Sequence, residues 1–194
     1  MTRTVLITGS SRGIGKATAE FFAARGWQVA ATSRTIDKKL FEKFPNVTVY
    51  ALDVTDTVSI KNAFVTVCGD FGTIDVVVNN AGYGLDGVFE AMEERQIRRQ
   101  FDTNVFGLMN VTREAIKYMK PTGSGRIIQV SSMGGRVTFP LYSVYHSSKW
   151  AVEGFSESLH YELRQFGLQI KIIEPGVIYT EFYGRSRELA KPLP

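Results

Sequence analysis

The sequence predicts an α/β domain, a doubly wound, Rossmann-like parallel sheet with helices on both faces. Short apolar runs alternate with amphipathic stretches across all 194 residues, with no repeat, low-complexity tract or linker. Thr4–Ile7, Ile74–Val78, Arg126–Val130 and Gln169–Ile173 are near-continuous Val, Ile and Leu. Parallel strands covered on both faces have that composition. Candidate functional groups cluster just after such runs, at Gly9, Asp53, Asn79, Ser132 and Pro175. Ligands of open α/β sheets bind at those carboxyl ends.

Thr4–Ile7 opens the sheet. Ile14–Arg25 reads as a helix with Ala17, Phe21 and Phe22 on its apolar side and Gly26 as its stop. Trp27–Thr32 is the second strand. Ile36–Phe44 is a short helix ended by Pro45, and Val47–Leu52 is the third strand. A helix over Val58–Cys68 leads to the fourth strand, Ile74–Val78. Two helices follow, Met92–Phe101 and Val105–Met119, the second closed by Pro121. Arg126–Val130 is the fifth strand, Ser143–Phe166 a long helix, and Gln169–Ile173 the sixth strand. The expected strand order is 3-2-1-4-5-6.

The length suits one domain with a sizeable core. A net charge of +4 is mild and dispersed, and the densest basic stretch, Arg95 to Arg99, has Glu93 and Glu94 beside it. That reads as a solvated helix face, so no nucleic-acid partner is expected. The single cysteine, Cys68, forms no intrachain disulfide and sits among Phe64, Val65 and Val67 like a small core residue. No apolar run approaches the ~20 residues of a membrane span, and no signal-like segment opens the chain. A cytoplasmic protein without a metal is expected.

The chemistry-bearing residues are Ser132, Tyr145 and Lys149. Tyr145 and Lys149 are four apart, one turn of a single helix face. Ser132 follows the fifth strand. A tyrosine ordinarily titrates near 10, too high for acid–base work at neutral pH, and a neighbouring ammonium favours its phenolate. The trio supplies a donor to polarise an oxygen, a phenol to move a proton and a cation to tune it. A Tyr-x-x-x-Lys pair by itself also packs and snorkels in many ordinary helices.

Between the first strand and helix lies Thr8-Gly9-Ser10-Ser11-Arg12-Gly13-Ile14-Gly15. Gly9 permits a tight turn. Gly13 and Gly15 let the backbone approach a pyrophosphate and the helix pack on the strand, while the helix N-terminus attracts phosphate. The spacing is G-x-x-x-G-x-G rather than the common dinucleotide fingerprint. NAD-preferring proteins carry an acid near the end of the second strand. Here that stretch is Ala30-Ala31-Thr32-Ser33-Arg34. Arg34 and Arg12 are either ordinary surface residues or a clamp for the 2′-phosphate of NADP, and the missing carboxylate favours NADP(H) over NAD(H).

Together these motifs resemble the short-chain dehydrogenase/reductase family, in its compact single-domain branch, from Thr4 to about Phe182. Besides the glycine turn, the matches are Asn79-Asn80-Ala81-Gly82, Asn104 in Asn104-Val105-Phe106-Gly107, Ser132 with Tyr145, and Pro175-Gly176 with Thr180. The resemblance implies hydride transfer between a nicotinamide and a carbonyl/alcohol pair. Ser132 would hydrogen-bond the substrate oxygen, Tyr145 would exchange its proton, and Lys149 would hold the ribose and lower the Tyr145 pKa. Asn104 would fix a relay water. Ser11, Arg12, Gly13, Ile14, Gly15 and Arg34 would bind the phosphate end of the cofactor. Asp53 and Val54 would meet its adenine, Asn80, Ala81 and Gly82 would border it, and Pro175, Gly176, Ile178 and Thr180 would hold its carboxamide end. Asn80 alternatively stitches strands, and Asn104 and Thr180 alternatively cap local helices.

Tyr83, Leu85, Met133, Phe139 and Tyr142 are expected to line the substrate pocket. Their apolar and aromatic character suggests a hydrophobic ketone, aldehyde or secondary alcohol. Arg136 is the one nearby cation that would speak against it. Trp150-Ala151-Val152-Glu153-Gly154 is similar to the branch holding retinol and hydroxysteroid dehydrogenases. The family runs several dozen residues further, through a covering loop, another helix and a seventh strand. The chain is accordingly expected to be C-terminally incomplete, with residues 179–194 opening the covering loop. Dimers or tetramers are expected through the long helices. A catalytically silent NADP(H)-binding scaffold is the competing expectation. An epimerase or dehydratase fits the glycine spacing less well.

Overall fold

The computed structural model describes residues 2–178 and 187–191. Six parallel strands form one sheet: β1 (Thr4–Ile7), β2 (Gln28–Ser33), β3 (Val47–Ala51), β4 (Val76–Asn79), β6 (Gly125–Val130) and β7 (Leu168–Ile173). Their order is β3-β2-β1-β4-β6-β7, the expected 3-2-1-4-5-6 once a short strand, β5 (Gly84–Asp86), is counted between them. Alternation along the strands splits the core in two. Leu6, Val77 and Ile127 face one layer, with Phe64, Val111, Met119 and Leu163. Val5, Ile7, Val76 and Val78 face the other, with Ala19, Ala23 and Phe41. The first layer is built by α2 (Thr57–Phe71), α4 (Leu108–Met119) and α5 (Ser143–Arg164), the second chiefly by α1 (Gly13–Ala23). Cys68 is half-buried against the first layer, as expected of a small apolar side chain.

Three local expectations are corrected. On α1 the buried face is Gly15, Ala19 and Ala23 rather than Ala17 and Phe21. Small residues four apart let the helix lie close on the sheet, while Phe21 stays 52% exposed under the Arg25 guanidinium. The short helix after β2 is a 3₁₀ turn, Lys38–Phe41, whose Lys39 N–H donates to the Asp37 carboxylate. The two expected mid-chain helices run into one another. α3 (Glu94–Phe101) passes through a π-helical segment, Asp102–Gly107, directly into α4.

A second, two-stranded parallel sheet pairs β5 with β8 (Arg187–Leu189) beside the carboxyl ends of the main strands. Asp86, 3% exposed, pairs with Arg187, and Ala190 N–H donates to the Asp86 carbonyl at 2.8 Å.

Candidate active site

The glycine turn is fastened to the end of β4. Asn80 Nδ2 donates to the carbonyls of Thr8 and Gly9, each at 3.0 Å, and the N–H groups of Asn80 and Ala81 donate to Thr8 Oγ1 at 3.0 Å. Gly9 has φ +66°, and a Cβ there would stand 2.8 Å from Ala81 Cα. Asn80 therefore does stitch strands, and it lines the cleft as well. Gly15 does not line it: a Cβ there would run into Gly9 O and Asn80 Nδ2, so Gly15 acts by packing. Arg12 occupies the N-cap of α1 without a side-chain cap, and the first turn carries no acid. That end retains free N–H groups and an uncompensated dipole for an anion.

Tyr145 and Lys149 come from the first turns of α5, and Ser132 lies two residues past β6 in extended conformation. Ser132 Oγ accepts from Gly134 N–H at 3.1 Å, which fixes its rotamer. Tyr145 is 9% exposed and Lys149 7%. The Lys149 Nζ lies 5.9 Å from the Tyr145 ring centroid and donates to the Val130 carbonyl at 2.9 Å. Burial lowers the Lys149 pKa to about 8, opposed by the Glu153 carboxylate one turn on. The ammonium is thus held by one carbonyl and poised close to neutrality.

Asn104 is not a helix cap. It lies within the π segment, 1% exposed, and its Oδ1 accepts from Tyr83 N–H at 3.1 Å. Its Nδ2 donates to Tyr83 O at 2.9 Å and Ser148 Oγ at 3.2 Å. Gln100 also donates to Tyr83 O, at 2.8 Å. The wider turn swings two polar residues onto one strand end.

A single cleft of about 1160 Å³ contains most of the expected groups. Gly9, Ser11, Arg12, Gly13, Ile14 and Arg34 line it on the side of the glycine turn, with Asp53 and Val54 after β3. Asn80, Ala81, Gly82, Ser132, Tyr145 and Lys149 line its middle, and Pro175, Gly176 and Ile178 border it after β7. Tyr83, Met133, Phe139 and Tyr142 line it too. Leu85 is a correction: it is wholly buried against Met92 and Val144 and does not reach the cleft. So is Arg136, which is tied to Glu153, Glu157 and Glu174 at 2.9–3.3 Å, outside the lining. Thr180 lies outside the described residues, as do 179, 181–186 and 192–194 of the expected covering loop.

Sequence reasoning missed Arg99, Asp102, Thr103, Phe106, His146, Arg187 and Glu188 in the lining. The π segment and the β5–β8 pairing bring most of them there. His146 alone carried a signal, its place next to Tyr145. Among the described residues no group of His, Cys, Asp and Glu could hold a metal, and no helix is long and apolar enough to cross a membrane.

The cleft fits a dinucleotide. It offers an uncapped helix end for pyrophosphate, glycines that keep side chains out of the approach, and a buried ammonium beside a phenol. A family model described as short chain dehydrogenase matches residues 3–190. An uncharacterized oxidoreductase of Schizosaccharomyces pombe is 41% identical over 193 residues, covering 98% of this chain and 66% of its own. A 3-ketodihydrosphingosine reductase of Bacteroides thetaiotaomicron is 37% identical over 178 residues, covering 92% and 65%. The chain thus spans just under two thirds of the length of these relatives. The solved structure of ElxO with NADP bound superposes with a TM-score of 0.89 at 34% identity, covering 93% of this chain and 76% of that one. With the parallel sheet, the glycine turn and the Ser132–Tyr145–Lys149 cleft, these likenesses make the chain a member of the short-chain dehydrogenase family of oxidoreductases.

Proposed function

We propose that the protein interconverts a carbonyl and an alcohol with NADP(H), acting on a hydrophobic ketone, aldehyde or secondary alcohol. The observation that carries this is the shared cleft: Ser132, Tyr145 and Lys149 line the same space as the uncapped glycine turn. A bound nicotinamide supplies or accepts the hydride there. Ser132 Oγ, held by Gly134 N–H, is free to donate its own proton to the substrate oxygen. Tyr145 gives that oxygen a proton in reduction and removes one in oxidation. Lys149 holds positive charge beside the phenol, which favours the phenolate and keeps the proton transferable near neutral pH. Asn104 positions Tyr83 and Ser148 behind them. Donors already in place where charge develops on oxygen need no rearrangement during the step.

Preference for NADP(H) is supported by Arg12 and Arg34 in the lining, by the lack of an acid at the end of β2, and by the NADP bound in ElxO. The apolar substrate is supported by Met133, Phe139, Tyr142 and Ile178 in the lining, and by the 3-ketodihydrosphingosine in the name of the Bacteroides relative. In this reading the chain assembles as a homodimer or tetramer along its long helices, where Trp150 and Tyr161 of α5 are exposed.

Nicotinamide fluorescence titrations with NADPH and NADH, followed by turnover of apolar ketones, test the proposal. Tyr145→Phe is expected to bind NADPH like the parent and to lose about 10²–10⁴ of the rate. Undiminished turnover in Tyr145→Phe would remove the phenol from the chemistry. Binding without turnover by the parent would favour a silent NADP(H)-binding scaffold.

A further inference from the structure

The wall of the cleft beside Tyr145 is aromatic, and its central member takes no part in the chemistry above. His146 is 4% exposed and lines the cleft. Its ring stacks on Tyr142 at 5.5 Å and 23°, meets Phe139 edge-on at 5.8 Å, and lies 5.9 Å from Tyr145. Its Nδ1 accepts a hydrogen bond from Phe139 N–H at 3.3 Å. In the neutral ring the proton therefore sits on Nε2. The other edge of the ring faces Gly134, where a Cβ would stand 2.6 Å from Cδ2 and 2.9 Å from Nε2. Gly134 is the residue whose N–H holds Ser132 Oγ. One imidazole thus touches the loop bearing Phe139, the Tyr142 ring and the turn that orients Ser132.

That loop needs holding. Leu141 has φ +71°, the only non-glycine residue in the left-handed region among those described, and its carbonyl accepts from Gly87 N–H at 2.8 Å. A β-carbon-bearing residue stays in such a conformation only where its surroundings over-determine it. Phe139 and Leu141 are themselves about half exposed, so hydrophobic burial alone does not fix them.

We infer that His146 is a positioning residue for the apolar carbonyl: in its neutral, Nε2-protonated form it holds Phe139 and Tyr142 as the substrate wall beside Tyr145. The inference rests on the reductase reading above. Protonation at Nδ1 removes the acceptor for Phe139 N–H and frees the loop. The titratable groups facing the ring are Asp86 on β5, with its partner Arg187 on β8, and Tyr142 and Tyr145. Burial raises the Asp86 pKa, and Arg187 and the neighbouring Tyr142 hydroxyl work against it, so the wall faces the small sheet. Burial pushes the His146 pKa below the ordinary histidine range, and Asp86 pulls weakly against it. The wall is therefore set at neutral pH and released in acid.

Steady-state kinetics with NADPH and 2-decanone, over a range of pH, test this on the parent, His146→Phe and His146→Gln. His146→Phe is expected to raise KM about fivefold, the size of one lost neutral hydrogen bond, with kcat within about twofold. Glutamine keeps a carbonyl that can accept from Phe139 N–H and is expected to restore most of the KM. The parent KM rises as the imidazole takes up its proton, and this acid limb disappears in both variants. An unchanged KM in His146→Phe, an acid limb that survives in His146→Gln, or a loss confined to kcat would overturn the inference. If His146→Phe does not fold, His146→Gln decides by its acid limb. Long-range ¹H–¹⁵N spectra of the parent give a reading independent of turnover: a proton on Nδ1 at neutral pH would overturn the assignment. A parent that binds NADPH and reduces no ketone would defeat the reductase reading, while the imidazole spectra would still decide what His146 holds.

Discussion

Gly15→Ala tests how the cofactor turn is built, because one methyl group separates packing from binding there. The new Cβ would overlap Gly9 O and Asn80 Nδ2, with Gly9 C at 3.0 Å. Two of these are backbone atoms, so moving the Asn80 side chain cannot relieve the overlap. Overpacking of a closed site costs about 1–3 kcal/mol. Moving Gly9 O also weakens the bonds Asn80 donates to Gly9 and Thr8, each about 1 kcal/mol. Alanine's better helix propensity returns about 1 kcal/mol. The net expectation is a loss of about 2–3 kcal/mol, or about 4–12 °C in Tm for a domain of this size. NADPH binding should weaken by at least about tenfold, since the same shift displaces the free N–H groups of α1. Gly69→Ala is the control. Gly69 lies inside α2 with nothing within 4 Å of its Cβ, and alanine there should stabilise by about 0.5–1 kcal/mol. Urea midpoints at constant m and NADPH titrations read both variants. A Gly15→Ala protein matching the parent in midpoint and in affinity would refute the close-packing account of the turn.

Lys149→Met should abolish turnover yet leave the cofactor-free protein at least as stable as the parent below pH 8, because it removes a buried ammonium. The sign follows from linkage. With a folded pKa of about 8 against an ordinary 10.5, the unfolded chain binds the extra proton between those values, so the parent gains stability as pH rises through that window. Urea midpoints at several pH values should show the gap between variant and parent closing there. Arg136→Met leaves the 3%-exposed Glu153 without its guanidinium and should cost about 1–2 kcal/mol at neutral pH, the partial exposure of Arg136 reducing the full buried-pair figure. Thermal melts should show that loss shrinking in acid, where Glu153, its pKa already raised by burial, takes up a proton. Asn104→Ala removes three hydrogen bonds that grip Tyr83 and Ser148, and should cost about 2–3 kcal/mol in urea unfolding.

The strands and their order were legible because burial on both faces demands unbroken runs of Val, Ile and Leu, as in Val76–Val78 and Ile127–Ile128. That Ser132, Tyr145 and Lys149 line one cleft was legible from spacing, since a strand end and a helix turn are rigid frames. The errors have a common source. Phe21 was assigned to the core for its hydrophobicity, but the sheet required small residues, and Ala19 and Ala23 met it. Leu85 was assigned to the pocket because Tyr83 two residues earlier lines it, but packing decides otherwise: Met92 and Val144 enclose Leu85 completely.

Asn104 shows where periodicity stops being informative. A helix of constant pitch from Glu94 to Met119 would place every side chain by its 3.6-residue phase. The π segment inserts a wider turn at Asp102–Gly107 and resets that phase, and no residue type in Asp102-Thr103-Asn104-Val105-Phe106-Gly107 announces it. Its cause is tertiary. A Cβ on Gly107 would stand 2.8 Å from Val54 Cγ2 and 3.0 Å from the Val54 carbonyl, so a glycine here lets the helix pass close to the segment after β3. Asn104 meanwhile satisfies both backbone groups of Tyr83, where the chain enters β5. The irregular turn thus links Tyr83 to Ser148, whose Oγ in turn donates to the Tyr145 carbonyl at 2.7 Å. The backbone of Tyr145 is fixed through a chain of hydrogen bonds that begins at Tyr83, next to β5. Displacement of Tyr83 by a substitution in the π segment should therefore reach Tyr145 without any residue of α5 being changed.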